Sequence, residues 1–172
     1  PTPNTGSAAF ASTGSGRRGR PPMADVYASH MSVLKALLNT HRPKRVLEYG
    51  AGLYSTPLFL SRPHVEQLVS VEPDPDWRHC IRSLHDDSRL HILAAGDFRP
   101  SDFDLVFIDN GQDGAEPLGA ERAATIRQVL SQKHPIVVVH DAEFPEYATA
   151  IEEYAINFSV FPTAPDTCVI HP

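Results

Sequence analysis

Three side chains able to move protons or bind metal follow two apolar runs in the second half of the chain. Asp109 comes directly after "LVFI", and the pair His140–Asp141 follows "IVVV". Two carboxylates and an imidazole can form a general-base pair or a site for a divalent cation such as Mg²⁺. The plainer alternative is that the two carboxylates only tie down loops. Because side chains alternate along a strand, His140 can also point away from the cleft.

A glycine turn separates an apolar run from a helical pattern in "RVLEYGAGLYSTPLFL". Gly50 and Gly52 lack a Cβ, so their backbone can approach a ligand closely. Thr56 precedes a proline, which is typical of a helix N-cap followed by the first helical residue. A dinucleotide-binding turn would have a third glycine where Ser55 stands, so NAD is disfavoured. Glu48 would repel a phosphate and is suited to pair with a cationic group of a ligand.

Two further acidic residues follow the next apolar runs. Glu72 ends "LVSVE", where a carboxylate can accept hydrogen bonds from both hydroxyls of a ribose. Asp97 lies in "AAGDF" and can accept the amino group of an adenine, while Phe98 can cover the ring. Taken singly, each acidic residue is more readily a cap or a solvated turn residue. Three of them at successive strand ends indicate a nucleoside-binding edge.

Alternating strands and helices must position these residues. Apolar runs predict strands at 45–49, 67–72, 90–94, 104–108 and 136–140, and helical patterns occur at 24–40, 57–62, 75–85, 119–132 and 145–154. Asp74 and Pro75 resemble an N-cap and a first helical residue. The runs "NFSVFP" and "TCVIH" predict a final hairpin. This alternation predicts a doubly wound α/β fold, with a mostly parallel sheet that ends in one antiparallel strand.

The composition of the chain limits the classes of partner that it is expected to bind. The 172 residues suit one domain, with 41% hydrophobic and 21% charged residues. A net charge of −6 argues against binding to nucleic acid, and no apolar run approaches the roughly 20 residues of a membrane span. Cys80 and Cys168 are expected to be reduced thiols. We therefore expect a cytoplasmic protein with a small-molecule partner, although a chain that begins with Pro1 leaves a removed targeting segment open.

Residues 1–22, "PTPNTGSAAFASTGSGRRGRPP", differ in composition from the rest of the chain. They are rich in Gly, Ser, Thr and Pro, which predicts a flexible arm ahead of a folded domain at 23–172. Arg17, Arg18 and Arg20 cluster in this arm. It is expected to be a solvated tail or, alternatively, a lid over an anionic ligand.

The motifs together resemble those of the class I S-adenosylmethionine-dependent methyltransferases. "VLEYGAG" resembles the glycine-rich first motif of that family, "LVSVEPD" the ribose-binding strand end and "AAGDF" the adenine-binding segment, whereas Tyr54 departs from the glycine of many members. The resemblance covers roughly 24–172 and implies a Rossmann-like seven-stranded sheet that binds S-adenosylmethionine. The residues it implies for cofactor binding are Glu48, Tyr49, Gly50, Ala51, Gly52, Ser55, Thr56, Glu72, Pro73, Asp97 and Phe98.

Two subgroups of this family are similar at the ends of the fourth and fifth strands. Catechol-type O-methyltransferases have a metal-binding Asp at each end, which Asp109 and Asp141 match, but Ala142 stands where that subgroup has Asn. The "HD" ending is similar to sugar and polysaccharide O-methyltransferases, including the plant glucuronoxylan type, and this second resemblance is preferred. It implies O-methylation of a small or sugar-like acceptor. Asp141 would be the base or metal ligand, Asp109 its partner and His140 an orienting residue.

Two other functions are also compatible with the sequence. One is an aminopropyltransferase-like enzyme on the same fold, which would need an acidic pocket for a polyamine. The other is a non-catalytic module that keeps the methyltransferase fold for ligand sensing or protein contact, since a fold does not by itself fix a function.

Overall fold

The structure, a computed structural model, describes residues 28–111 and 119–172. The arm predicted for 1–22 lies outside the described residues, as do positions 24–27 of the first predicted helix. In the described part, five α-helices and seven β-strands follow one another. They are α1 Met31–His41, β1 Arg45–Tyr49, α2 Ser55–Leu60, β2 Gln67–Val71, α3 Pro75–Leu84, β3 Leu90–Leu93, β4 Leu105–Ile108, α4 Ala120–Leu130, β5 Ile136–His140, α5 Pro145–Tyr154, β6 Phe158–Phe161 and β7 Thr167–Ile170.

The strands form one seven-stranded sheet in the order β3-β2-β1-β4-β5-β7-β6. Strands β1 to β5 are parallel, and β7 runs antiparallel to both of its neighbours. The predicted α/β class and the antiparallel closing strand are confirmed. Strand order reverses between β1 and β4, which is where an open α/β sheet binds ligands at its carboxyl edge.

Helices cover both faces of the sheet, because its central strands β1, β4 and β5 are buried on both faces. On one face, α1 and α2 pack through Leu34, Leu38 and Phe59 onto Phe107 and Val138. On the other face, α4 and α5 pack against the alternate residues of the same strands, which include Val106, Ile108, Val137 and Val139. The strand ends are therefore held rigidly from both sides.

The link between β3 and β4 contains no α-helix and instead crosses the α4/α5 face as an irregular segment. It must pass over β2 and β1, since β4 pairs on the far side of β1. The rings of Phe98 and Phe103 meet edge to face, 6.2 Å between centroids, and both pack onto the core of that face. A single short 3₁₀ turn, Pro100–Asp102, interrupts the crossing.

Two helix N-caps were predicted from the sequence, and the structure confirms one of them. Asp74 accepts hydrogen bonds from the amides of Asp76 and Trp77, which confirms the predicted cap of α3. The predicted cap at Thr56 is wrong, because α2 begins at Ser55 and Thr56 lies in its first turn. The physical reason is that the Thr56 hydroxyl bonds to a buried carboxylate rather than to its own helix end. Within the described residues, no helix has the length and apolar character needed to cross a membrane.

Candidate active site

A cavity of about 730 Å³ opens at the carboxyl ends of β1, β2, β4 and β5. It lies between β1 and β4, where the strand order reverses and where the sequence predicts the cofactor-binding and catalytic side chains. The predicted site residues that line it are Gly50, Ala51, Gly52, Glu72, Pro73, Asp109, His140 and Asp141. The remaining lining residues are Asp74, Trp77, Asn110, Gly111, Glu121, Arg122, Phe144 and Pro165.

The glycine turn packs tightly against the loop that follows β4. Gly50 has a φ of +88°, and a Cβ at this position would lie 2.5 Å from the carbonyl oxygen of Asp109. Its amide donates to the Val71 carbonyl of the neighbouring strand, at 2.9 Å. The turn therefore requires glycine for both its conformation and its close approach to the second loop of the site.

Glu48 is fully buried beneath this turn and does not line the cavity. Its carboxylate accepts three hydroxyl hydrogen bonds, from Ser55 at 2.6 Å, Thr56 at 2.8 Å and Ser70 at 2.5 Å. Burial raises the pKa of Glu48 to about 7, and the three hydroxyls oppose that rise. The Gly52 amide in turn donates to the Thr56 hydroxyl, at 3.0 Å. In this geometry Glu48 fixes the turn and the start of α2, and its contact with a cationic ligand group stays a prediction.

Glu72 and Trp77 form the β2 side of the cavity. Oε1 of Glu72 accepts the Asp74 amide at 3.0 Å, and burial raises the pKa of this carboxyl. The Trp77 indole donates to the Ala51 carbonyl at 2.6 Å, which fastens α3 to the glycine turn. Trp77 was not predicted as a site residue, although its place three residues after the capping Asp74 was a usable signal. The contact of Glu72 with a ribose stays a prediction.

Six residues of the predicted cofactor set do not line this cavity. Glu48 and its partners Ser55 and Thr56 are three of them, and Tyr49, Asp97 and Phe98 are the others. Tyr49 is buried on the α4/α5 face, and burial together with the Asp97 charge raises its pKa. Asp97 and Phe98 line a separate cavity of about 270 Å³ on the β3–β4 link, beside Arg45 and Phe103. The described geometry does not bring Asp97 and Phe98 to the glycine turn, so their contact with an adenine stays a prediction.

Arg122, in the first turn of α4, joins the two predicted catalytic carboxylates. Its guanidinium lies 3.0 Å from Asp109 Oδ1 and 2.6 Å from Asp141 Oδ2, and its Nε donates to the Asn110 carbonyl at 2.5 Å. The Tyr147 ring covers it, 5.1 Å from the centroid. Burial alone would raise the pKa of Asp109, but the His140 hydrogen bond and the Arg122 charge outweigh it and leave that pKa lowered. The sequence did not predict this role for Arg122. A usable signal was an arginine in a helix turn whose neighbouring residues face the core.

His140 lies beneath the two carboxylates, on the α1 side of the sheet. Its Nδ1 is 3.1 Å from Asp109 Oδ1 and 3.6 Å from Asp141 Oδ1, and its Nε2 is 2.7 Å from the Ser29 hydroxyl. The His30 ring meets it edge to face, with 4.6 Å between centroids. Burial lowers the pKa of His30 to about 4, so this ring is neutral at pH 7. Neither Ser29 nor His30 was a predicted site residue, since no sequence pattern ties the start of α1 to the end of β5.

A Mg²⁺ site of the catechol type does not fit the arrangement of Asp109 and Asp141. Such a cation takes oxygen ligands with near-octahedral geometry. The Arg122 guanidinium lies between the two carboxylates and bonds to both, so it takes the position that a shared cation would need, and Ala142 offers no side-chain ligand. A metal shared by these two carboxylates is therefore an expectation that the geometry does not support.

Comparison with known proteins gives matches in structure alone. Neither a protein-family model nor a curated protein matches the sequence. The methyltransferase domain of bacterial CtHen1 is similar at 13% identity with a TM-score of 0.63, covering 86% of this chain and 100% of that one. An O-methyltransferase from Bacillus cereus, solved with S-adenosylhomocysteine, is 14% identical with a TM-score of 0.60, covering 88% and 84%. A spermidine synthase in complex with the transition-state analogue AdoDATO is 16% identical with a TM-score of 0.59, covering 85% and 60%.

These likenesses, together with the strand order, define the fold as that of the class I S-adenosylmethionine-dependent methyltransferases. The expected fold is confirmed.

Proposed function

We propose that this protein is an S-adenosylmethionine-dependent methyltransferase that acts on an oxygen atom of a small or sugar-like acceptor. The observation that carries the proposal is one cavity with two different walls. The glycine turn and Glu72 form one wall, and Asp109, Arg122 and Asp141 form the other. The similar Bacillus cereus enzyme was solved with S-adenosylhomocysteine, which supports a cofactor of this class.

The first wall fits a nucleoside. A volume of about 730 Å³ lies within the range of small-molecule sites. Glu72 presents a carboxylate at the end of β2, where it can bind ribose hydroxyls, and Trp77 offers a flat ring beside it. S-adenosylmethionine, when bound, supplies a methyl group on a sulfonium. The chain's part is to hold that group rigidly, which the tight Gly50 turn and the buried Glu48 network support.

The second wall fits an acceptor hydroxyl. Asp141 is about one-fifth exposed at the cavity, so its carboxylate can reach a proton there. Arg122 fixes this carboxylate in place, and Asp109 shares the same guanidinium. Phe144 is 45% exposed at the rim and gives a flat apolar surface against which a sugar ring can stack. Alignment of the acceptor and removal of its proton are the two tasks these residues would perform.

One observation favours a second candidate, an aminopropyltransferase. Among the described residues that line the cavity, five carry carboxylates and one carries a guanidinium; the five are Glu72, Asp74, Asp109, Glu121 and Asp141. An acidic cavity suits a polyamine, and the similar spermidine synthase acts in that class. The Arg122 bridge neutralises part of this charge, which is why methyl transfer remains the first proposal.

Calorimetry with S-adenosylhomocysteine tests cofactor binding. The wild-type protein should bind it, and Glu72→Ala should bind it about 5–150-fold more weakly through loss of a charge-assisted hydrogen bond, about 1–3 kcal/mol. Glu66→Ala is the matched control, since Glu66 directly precedes the same strand at its other end and pairs with Lys44. Absence of binding by the folded wild-type protein would remove the cofactor assignment.

Product analysis separates the three functions. Incubation with S-adenosylmethionine and uronic acid or sugar acceptors should release S-adenosylhomocysteine and a methyl ether. Release of methylthioadenosine from decarboxylated S-adenosylmethionine and a diamine would instead establish the aminopropyl transfer. Tight cofactor binding without turnover of either kind would favour a non-catalytic module.

A further inference from the structure

Three side chains with metal-binding atoms meet beneath the second wall of the cavity. His30 lies just before α1, Asp109 follows β4 and His140 ends β5; one ligand atom of each lies within 4.8 Å of the others. Ligand atoms that share a transition-metal ion are at most ~4 Å apart, so small side-chain rotations would close the site. We propose that these residues bind a divalent first-row transition metal, such as Zn²⁺ or Co²⁺.

The His30 ring supplies an observation independent of the cluster. It is 2% exposed, and within the described residues neither of its ring nitrogens has a hydrogen-bond partner. Its neighbours are the rings of Phe107, 5.0 Å away between centroids, and His140. Buried polar nitrogens are nearly always paired, and a neutral imidazole has one lone pair to offer. A metal ion between His30 and Asp109 satisfies that lone pair.

The hydrogen bonds of His140 point to a cation at its other nitrogen. Ser29 Oγ donates to the Pro165 carbonyl at 3.2 Å and lies 2.7 Å from His140 Nε2. A carbonyl only accepts, so the hydroxyl hydrogen directed at Pro165 leaves the Ser29 oxygen to accept from Nε2–H. A neutral ring then turns its Nδ1 lone pair toward Asp109 Oδ1, 3.1 Å away, so that a cation, either a proton or a metal ion, lies between the two atoms. A metal-bound histidine held through its second nitrogen is the usual arrangement.

The ligand types and the local charge select the metal. Two imidazoles with one carboxylate suit Zn²⁺, Co²⁺ or Fe²⁺, whereas Mg²⁺ and Ca²⁺ prefer oxygen ligands only. Asp109, Asp141 and Arg122 together carry a net charge of −1, which favours a dication. The Arg122 contact leaves Asp109 with free lone pairs, because a carboxylate offers about four acceptor positions. This site differs from the Asp109/Asp141 pair predicted from the sequence.

Three protein ligands leave a coordination position open, and two of the three residues line the cavity. The open position would face the acceptor hydroxyl. That catalytic role rests on the proposed methyl transfer, but binding of the metal does not. Metal affinity and cofactor affinity are therefore measured separately, so that failure of one leaves the other standing.

Metal binding is tested on the full chain after removal of metal with a chelator. Calorimetry should show one equivalent of Zn²⁺ bound tightly and Mg²⁺ bound at least 100-fold more weakly, and Co²⁺ should give visible d–d absorption. His30→Ala should weaken Zn²⁺ binding at least 100-fold. His79→Ala, at an exposed histidine of α3, should leave it unchanged. No stoichiometric Zn²⁺ or Co²⁺ binding, or equal affinity in the His30→Ala protein, would overturn the proposal.

Circular dichroism melts establish whether each variant folds. If His30→Ala does not fold, X-ray absorption at the zinc edge of the wild-type protein decides the question by itself. Two imidazole ligands with oxygen and no sulfur would support the site. Sulfur ligation, or a single imidazole, would overturn it.

Discussion

The guanidinium of Arg122 lies between the carboxylate that follows β4 and the carboxylate that follows β5, 3.0 Å from Asp109 and 2.6 Å from Asp141. It thereby fixes the two loops of the acceptor wall relative to one another. Because the arginine side chain is 8% exposed, both ion pairs are shielded from water on one side.

Replacement of this guanidinium should therefore be costly. We expect Arg122→Met to lower the free energy of unfolding by about 3 kcal/mol, since two carboxylates lose their common counter-charge in a partly buried site. Urea denaturation monitored by fluorescence measures the change. Arg127→Met, five residues further along α4, is the matched control, and loss of its exposed pair with Glu153 should have little effect. Similar losses in the two variants would contradict the role given to Arg122.

The titration of Glu48 should make the free energy of unfolding fall as the pH rises. Burial raises its pKa from 4.5 to about 7, so the folded protein retains a proton that the unfolded chain releases. The stabilising contribution is fully present below pH 4.5 and is lost as the pH rises through 7. Relative to Glu48→Gln, the wild-type protein should lose on the order of 3 kcal/mol between pH 4.5 and pH 8.

Unfolding free energies of both proteins at pH 5, 6, 7 and 8 give the required double difference. The lowered pKa of His30 acts in the opposite direction below pH 6.5, but it is common to both proteins and cancels. Glu152→Gln, at an exposed position of α5, controls for the loss of one charge. If the curves of wild type and Glu48→Gln run parallel, the raised pKa of Glu48 is refuted.

Much of this site was open to prediction because local rules govern it. The apolar runs of β1 and β5 matched the observed strands residue for residue, since continuous β-branched and aliphatic stretches are typical of a buried parallel sheet. Topology then placed Gly50, Glu72, Asp109 and Asp141 at one edge. Asp74 was recognisable as a cap because capping depends only on the next three residues.

The residues that were missed depend on contacts distant in sequence. His30 lies just before α1 and Arg122 in the first turn of α4, and no local pattern connects either helix start to the end of β5. Thr56 was assigned to the helix cap because the sequence does not reveal that a buried carboxylate, eight residues earlier, competes for its hydroxyl. The resemblance of "AAGDF" to an adenine-binding segment predicts that Asp97 lies beside the cofactor; the irregular β3–β4 link places it in a separate cavity, and its contact with an adenine stays a prediction.

Gly50 should tolerate no side chain. Its φ of +88° is strained for other residues, and a Cβ would meet the Asp109 carbonyl at 2.5 Å. We expect Gly50→Ala to lower the unfolding free energy by about 2–4 kcal/mol and to weaken binding of S-adenosylhomocysteine, because the turn must move. Gly111→Ala separates the two effects, since Gly111 also has a positive φ but its Cβ would meet no atom of the described residues closer than 4.0 Å. Equal losses in the two variants would show that the close contact contributes nothing.

Replacement of either carboxylate held by Arg122 should lower turnover, whereas replacement of a cofactor-binding residue should lower the affinity for S-adenosylhomocysteine. We expect Asp141→Asn to lower turnover about 10²–10⁴-fold while leaving the affinity for S-adenosylhomocysteine unchanged, because a general base acts on the acceptor rather than on the cofactor. Asp109→Asn should also lower turnover, since it removes the charge that faces His140. Steady-state kinetics and calorimetry on the same preparations measure both quantities. Asp76→Asn, at an exposed position of α3, is the control.

Rescue by a conservative replacement separates proton transfer from mere structural support. Asp141→Glu keeps a carboxylate that can still reach both Arg122 and the cavity, so it should recover part of the turnover that Asp141→Asn loses. A structural role alone would instead be met by Asn, which preserves the size of the side chain and one hydrogen-bond acceptor. Wild-type turnover in Asp141→Asn would remove this carboxylate from the mechanism. Loss of turnover and of cofactor affinity together would place Asp141 in the support of the cavity rather than in the chemistry.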